Sequence, residues 1–181
     1  SASLEKLQQY AELFDLDQKT GVQITESSPH VSDAMALPSA IGQGTHQYTT
    51  AQLARYAATI YNSGTSYKLN LLDKVTDSDG NTIEEFSPSV SKQMNIDDWI
   101  WDDVHEGMRK MVQSSGTLQA LPLELYGKSG TAQESESRPN HGLFIGYAKN
   151  GGQEDIAFAT RIAFGYSSTN AAVVAKDLLS Y

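Results

Sequence analysis

Four consecutive residues, Lys128-Ser129-Gly130-Thr131, have side chains and backbone groups that can assist acyl transfer on a peptide. Lys128 offers a cation that can hold a carboxylate or help move a proton. Small residues at Gly127, Ser129 and Gly130 leave one strand edge bare, so that a peptide can lie along it as an added strand. The backbone N–H of Thr131 can point at a developing oxyanion. A Lys-Ser-Gly tripeptide alone is also typical of a surface turn, so the elements around it decide its meaning.

The segment around the lysine is predicted to be one strand of a small antiparallel sheet. Three strand-length segments, 126–133, 143–148 and 156–164, are joined by short polar connections, which favours three adjacent antiparallel strands. A last helix follows and is capped by Ser167 or Ser168. Its inward residues are predicted to be Ala171, Val174, Ala175 and Leu178. This helix is expected to pack on one face of the sheet.

Three helices are predicted before the lysine motif. The first is capped by Ser3, and the second starts near Thr49 and stops at Gly64. The third covers residues 97–112, with an acidic start and a basic end that suit the helix dipole. Each helix has a predicted apolar face. It consists of Leu4, Leu7, Ala11 and Phe14 in the first helix, of Leu53, Ala57, Ile60 and Tyr61 in the second, and of Trp101, Val104, Met108 and Met111 in the third.

A long irregular segment and a hairpin connect these helices. Residues 23–48 are rich in Ser, Pro, Gly and His, and a structureless loop of this length inside a compact domain is usually functional or a sign of misassigned elements. Gly42 and Gly44 are predicted to adopt positive φ, which glycine does without cost. The turn 77–81 is predicted to join two short strands. The order of elements along the chain is helices and a hairpin, then strands, then a helix. This order predicts an α+β fold with an antiparallel sheet.

The composition excludes several classes of function. A net charge of −9 argues against a nucleic-acid partner and gives no support for binding to anionic lipid. There is no cysteine, and the four histidines lack the spacing of metal ligands. No run approaches the roughly 18–20 apolar residues of a membrane helix. No metal or organic cofactor is therefore expected.

Further segments, in matching order and spacing, resemble class B penicillin-binding proteins. The first segment is Ile41-Gly42-Gln43-Gly44, followed by Thr50, Gln52-Leu53-Ala54 and Asn62-Ser63-Gly64. The second covers residues 104–108 and is followed by Gly116-Thr117. The third covers residues 144–148, after the lysine motif. The opening, residues 4–22, looks like the family's segment that follows its Ser-x-Asn motif. The resemblance covers nearly the whole chain and implies part of the penicillin-binding protein and serine β-lactamase fold.

The family's chemistry needs three motifs, of which the lysine strand is the last. A Ser-x-x-Lys supplies the nucleophile, and a Ser-x-Asn follows it. Ser3–Lys6, Ser89–Lys92 and Ser168–Asn170 match these by letter, but none stands in the family's order. We therefore expect residues 1–181 to be the C-terminal portion of one transpeptidase domain. Without the N-terminal portion and its serine, this chain is expected to be inactive.

The resemblance also implies a substrate, partners and residue roles. The parent protein would cross-link peptidoglycan stem peptides through a serine acyl-enzyme and would be acylated by β-lactams. Lys128 would serve proton transfer and electrostatics, Ser129 would contact the substrate carboxylate, Gly130 would permit close approach, and Thr131 would supply the oxyanion N–H. The remaining partner would be the N-terminal half of the domain. The expected location is the extracytoplasmic face of the bacterial membrane, with an N-terminal anchor outside this chain.

Two other classes of function stay open from the sequence. One is a serine β-lactamase or DD-carboxypeptidase of the same fold, against which the Gln43-Gly44 stretch favours the transpeptidase. The other is a non-catalytic module with a binding or structural role. His141, shortly after the lysine motif, is a candidate for lining the cleft, although a packing role is the simpler interpretation.

Overall fold

Residues 2–151 and 154–181 are described by a computed structural model, in which helices cover both faces of a three-stranded sheet. The helices are α1 (Ala2–Leu13), α2 (Ala36–Ala40), α3 (Thr50–Tyr61), α4 (Asp98–Gln113) and α5 (Ser168–Leu179). The strands are β1 (Thr65–Tyr67), β2 (Lys74–Thr76), β3 (Thr82–Glu85), β4 (Val90–Gln93), β5 (Glu124–Ala132), β6 (His141–Lys149) and β7 (Ile156–Ile162). None of the described helices combines the length and the apolar character needed to cross a membrane.

The sheet has the order β5-β6-β7, and both pairings are antiparallel. The register of the first pair runs without a bulge from Glu124 opposite Lys149 to Ala132 opposite His141. Helix α5 packs on one face of the sheet. The predicted three adjacent strands, the packed last helix and the α+β class are therefore confirmed.

Helix α5 meets the sheet through alanines. Ala171, Ala172 and Ala175 are buried against Leu125 and Phe144. The sequence prediction was wrong for two inward positions, because Val174 is 39% exposed and Leu178 is 68% exposed. The small side chains let the helix backbone approach the sheet closely, and the Thr160 hydroxyl on β7 donates to the carbonyl of Ala171 at 3.0 Å. Val173, Val174 and Leu178 consequently turn away from the sheet, while Leu179 packs against the same cluster as the alanines.

A second apolar cluster fills the opposite face of the sheet. Its buried members are Ile60, Met94, Trp101, Met108 and Tyr147. The ring of Tyr147 stacks on that of its cross-strand partner Tyr126 at 4.6 Å between centroids. Val104 was predicted to face inward, but it is 37% exposed. Helix α3 thereby packs against β6 and β7, and helix α4 packs against β5.

The start of α3 follows its local sequence signal, and the cap predicted for α1 does not form. Thr49 caps α3 in a capping box with Gln52, as the helix start there predicted. Gly64, shortly after the end of α3, has a φ of 103°. A Cβ at this position would lie 2.9 Å from Cζ2 of Trp101. Ser3 is not a cap, because α1 already begins at Ala2 and places Ser3 inside its first turn.

The predicted hairpin and loop are present, and one strand pair was missed. β2 and β3 pair across a turn in which the Asp77 carboxylate accepts from the backbone of Asp79 and Asn81. Gly42 and Gly44 have φ of 79° and 81°, so their predicted positive φ is confirmed. The pair β1 with β4 had no sequence signal, since three- and four-residue strands show too little alternation.

A buried ion pair fastens α1 to β4. The Asp15 carboxylate follows α1, is 5% exposed and lies 3.2 Å from the Lys92 Nζ. Burial raises the pKa of this carboxyl, but side-chain hydrogen bonds from Ser91 and Lys92 and the charge of Lys92 outweigh burial and bring the pKa below 3.8. The carboxylate therefore stabilises the fold above its ordinary pKa, and this contribution is lost as the pH falls through 3.8 toward the lowered value.

We expect Asp15→Asn to lower the free energy of unfolding at pH 7 by about 1–3 kcal/mol, because it leaves Lys92 without its buried partner. Asparagine tolerates the φ of 56° at this position, so the loss reports the charge. Between about pH 5 and pH 3, the free energy of unfolding should also fall less in this variant than in the parent chain. Urea unfolding across this pH range measures both effects, with the exposed Asp79→Asn as a control. Equal acid dependence in Asp15→Asn and the parent chain would contradict the assignment.

Candidate active site

The lysine motif lies in the middle of β5, which is an outer strand of the sheet. On its inner side β5 pairs with β6, and no strand among residues 2–151 and 154–181 pairs with its other edge. Lys128 and Thr131 are exposed, and Ser129 and Gly130 are partly buried. The four predicted site residues are thus presented along an open strand edge, the arrangement that peptide addition requires.

Lys128 lies on the face of the sheet opposite to α5, two residues after Tyr126. Its Nζ donates to the carbonyl of Ser129 at 2.5 Å. This bond folds the cation back onto the strand edge. The charge therefore lies next to the groups that an added peptide would meet.

Ser129 and Thr131 share the α5 face of β5, because side chains alternate along a strand and Leu125 on that face packs against α5. The Thr131 hydroxyl accepts from the backbone N–H of Ser168 at 3.3 Å. Ser168 is the first residue of α5, capped by Ser167. The positive end of the helix dipole thus lies beside Thr131 and favours an anion there.

Packing requires glycine at one of two positions on β5 but not at the other. A Cβ on Gly127 would lie 2.7 Å from Cε2 of Phe144 and still nearer to its Cζ, so the fold itself requires glycine. A Cβ on Gly130 would meet only the Cβ of Leu143, at 3.6 Å, which is ordinary contact. Packing within the described chain thus explains Gly127 but not Gly130. That small residues at these positions leave the edge bare for a peptide stays a prediction, and the Phe144 ring gives a further reason for glycine at 127.

Gln43 brings the long N-terminal loop to the end of this strand. Its Nε2 donates to the carbonyl of Thr131 at 3.1 Å, and its Oε1 accepts from the backbone N–H of Gln133 at 3.2 Å. Sequence reasoning had placed Gln43 in the resembling stretch 41–44 but gave it no contact. A separation of 88 residues left no local signal for this one.

Buried hydroxyl groups hold the loop in place. The Ser32 hydroxyl lies 2.6 Å from that of Ser39 and 3.0 Å from that of Thr45. Gly44 crosses directly over this cluster, and a Cβ there would lie 3.1 Å from the Ser32 oxygen and closer still to that of Ser39. The backbone N–H of Gln43 donates to the carbonyl of Pro38 at 2.9 Å. The position of Gln43 is therefore fixed by the loop's interior.

His141 is buried rather than open to a cleft. It is 7% exposed, lies 2.8 Å from the carboxylate of Glu134, and accepts from the backbone N–H of Phe164 at 3.1 Å. These bonds tie the β5–β6 connection to the turn before α5. No group of three His, Cys, Asp or Glu side chains in the described part of the chain is placed to hold a metal ion.

Comparison with known proteins identifies the family. Residues 1–180 match the family described as the penicillin binding protein transpeptidase domain. Penicillin-binding protein H of Bacillus subtilis is 31% identical over 142 residues, which are 72% of this chain and 20% of that protein. Peptidoglycan D,D-transpeptidase MrdA of Acinetobacter baumannii is 28% identical over 210 residues, which cover 98% of this chain and 31% of that protein. The chain thus spans about a fifth to a third of the length of these relatives.

Solved structures agree on the fold. Penicillin-binding protein 2B of Streptococcus pneumoniae superposes with a TM-score of 0.78 at 21% identity, over 99% of this chain and 32% of that one. An imipenem acyl-enzyme complex of penicillin-binding protein A from M. tuberculosis gives 0.79 at 22% identity, over 99% and 44%. The chain belongs to the penicillin-binding protein transpeptidase family, as its resemblance to the class B members predicted.

The two glycines of β5 give a matched test of the site. We expect Gly127→Ala to lower the free energy of unfolding by about 2–4 kcal/mol, because its methyl group overlaps the Phe144 ring. Gly130→Ala should change it by less than about 1 kcal/mol, since its methyl group meets open space and one ordinary contact. Thermal and urea unfolding measure both. Equal destabilisation by the two substitutions would show that Gly130 is also required by packing.

Proposed function

We propose that this chain is the C-terminal portion of a peptidoglycan D,D-transpeptidase domain and carries the lysine-strand half of its active site. The observation that carries this proposal is the open edge of β5, which presents Lys128 and Ser129 and whose Thr131 lies beside the N-terminus of α5. Membership of the transpeptidase family agrees with it.

The substrate would be a stem peptide ending in D-alanyl-D-alanine, added to β5 as a short strand. Its terminal carboxylate would lie toward Lys128 and Ser129, where the Lys128 cation already folds over the strand edge. The carbonyl oxygen of the penultimate residue would accept from the backbone N–H of Thr131. A preorganised donor of this kind is worth about 10²–10³-fold in rate.

The covalent step needs a serine from the upstream portion of the domain. Its hydroxyl oxygen forms a bond to the penultimate carbonyl carbon, the C–N bond to the last D-alanine breaks, and the serine proton passes to the departing amine. An amine of a neighbouring stem peptide then forms a C–N bond to the ester carbonyl carbon, the C–O bond to the serine breaks, and a proton of that amine passes to the serine oxygen. Lys128 would assist these transfers and hold the carboxylate. A β-lactam ring would acylate the same serine, with its own amide bond opening.

The chance motif matches have structural roles here. Ser3 and Lys6 lie within α1, and Lys92 on β4 is bound to Asp15. These contacts support the proposal that the nucleophile belongs to a segment upstream of residue 1. The extracytoplasmic membrane location expected of the parent protein is part of the same proposal.

We expect purified 1–181 to form no covalent adduct with a fluorescent penicillin, because general acid–base help without a nucleophile supplies only about 10²–10⁴-fold. A longer protein that adds an upstream Ser-x-x-Lys and Ser-x-Asn should be labelled. In that protein Lys128→Ala should abolish most of the labelling, whereas the exposed Lys110→Ala on α4 should leave it unchanged. Gel fluorescence and intact mass measure the adduct. Stoichiometric labelling of 1–181 alone at a single serine would overturn the proposal.

A further inference from the structure

We propose that the hairpin formed by β2 and β3 docks a protein partner, which adds a strand to the outer edge of β3. The segment of the partner that binds would alternate basic and apolar residues. This inference goes beyond the proposed function, because it concerns a surface other than the lysine strand.

The hairpin has no structural partner in the part of the chain that the structure describes. There, β2 and β3 pair only with each other, and neither forms a substantial interface with a helix or with the three-stranded sheet. Every residue from 70 to 85 is exposed. An isolated two-stranded hairpin is marginally stable in water, whereas three or more strands with an apolar face can be stable. An added strand would therefore stabilise β2 and β3.

The base of the hairpin is nevertheless held in a defined position. The backbone N–H of Phe86 donates to the carbonyl of Asp73 at 2.8 Å, and that of Leu69 donates to the carbonyl of Thr20 at 3.0 Å. The backbone N–H of Leu71 donates to the side-chain oxygen of Gln23 at 2.9 Å. The edge of β3 is thus formed before a partner arrives, so binding does not have to order it.

Aliphatic side chains are exposed along the hairpin and the segment that leads to it. They are Leu71, Leu72, Val75 and Ile83, and Ile83 on β3 is 67% exposed. Side chains alternate between the two faces of a strand, so an added strand would contact both faces of the hairpin. Apolar residues of the partner can therefore cover aliphatic side chains on either face.

A cleft of about 330 Å³ lies where β3 ends. Leu69, Glu85 and Phe86 are among the residues that line it. Strand addition supplies affinity through backbone hydrogen bonds, and pockets beside the edge supply specificity. The cleft has room for an apolar side chain of the added strand.

The charge of the hairpin indicates which kind of segment binds. Residues 70–85 contain five acidic residues, Asp73, Asp77, Asp79, Glu84 and Glu85, and a single basic residue, Lys74. Lys74 lies opposite Glu85 across the hairpin, but Glu84 lies opposite Val75 and has no cation there. A basic residue on an added strand would pair favourably with Glu84. A second copy of this chain would instead bring two acidic edges together, which like charges oppose.

Three blocked peptides of six residues test this edge in 1–181. The first alternates lysine with valine, the second glutamate with valine, and the third lysine with serine. We expect the lysine–valine peptide to shift the amide NMR signals of residues 82–86 and to bind at least about tenfold more tightly than the others, because only it combines the charge and the apolar contact. Methylation of every backbone nitrogen of this peptide should abolish binding, since strand addition needs its N–H groups.

Two pairs of variants locate the binding. Glu84→Lys should weaken binding of the lysine–valine peptide about fivefold, whereas Asp177→Lys on α5, which changes the net charge equally, should not. Ile83→Ser should weaken it about threefold. Leu178→Ser should match the parent chain, although Leu178 is as exposed as Ile83. Equal weakening by Glu84→Lys and Asp177→Lys, or full binding of the methylated peptide, would show general charge attraction and overturn the proposal. Failure of all three peptides to bind would also overturn it.

Two further measurements distinguish other occupants of the edge. Sedimentation equilibrium should show no dimer of 1–181 that depends on the hairpin, and a dimer that Ile83→Ser dissociates would make a second copy the occupant. In a longer protein that includes the upstream portion, the outward amides of β3 should exchange as fast as in 1–181 until the lysine–valine peptide is added. Protection by the upstream portion alone would assign the edge to that portion. Either of these results would contradict a separate protein partner.

Discussion

The central constraint on this chain is that β5 must be held in place by the fold and yet stay unpaired along one edge. Backbone groups buried without partners are costly, and an unpaired strand edge invites association with other strands. Here one edge of β5 is fully paired with β6, and near the start of the strand Leu125 and Tyr126 pack into the apolar clusters on the two faces of the sheet. The rigidity gained in this way lets the other edge hold its shape without a neighbouring strand.

Close packing of β5 on β6 depends on residues that have no side chain. Phe144 fills the space beside Gly127, and a Cβ on Gly146 would overlap the carbonyl of Tyr126. Further along, Gly142 makes room for the backbone of Ser167, which caps α5. The same glycines that allow a tight sheet therefore bring the N-terminus of α5 to Thr131. Packing and electrostatics at the site thus share one structural origin.

An active site on a strand edge is well suited to a domain assembled from two portions. The edge supplies fixed backbone donors and a cation, and in the proposed enzyme the nucleophile would approach from outside the sheet. In the proposed enzyme the lysine strand would bind and orient the peptide, and the upstream portion would perform the covalent attack. Electrostatic preorganisation and nucleophilic catalysis are separable contributions, so each portion can be tested by itself.

Local signals in the sequence determined most of the elements. The capping box at Thr49, the Asp77 turn and the alternation around β5 to β7 depend on neighbours in the chain, so they could be read without a structure. The strand at 128–131 was likewise predicted, and the peptide binding that its residue types suggest stays a prediction. The family motifs predicted the fold, because their order follows the chain.

Long-range packing decided the rest. Three features depend on partners that are distant in sequence. Helix α5 faces the sheet with its alanines, the Phe144 ring leaves no room for a side chain at Gly127, and β1 pairs with β4. The contact of Gln43 with β5 spans 88 residues and is made by a side chain whose type alone does not indicate a partner. Residue type and spacing determine which groups this chain offers, but which backbone groups of β5 remain open depends on what the folded chain brings beside them.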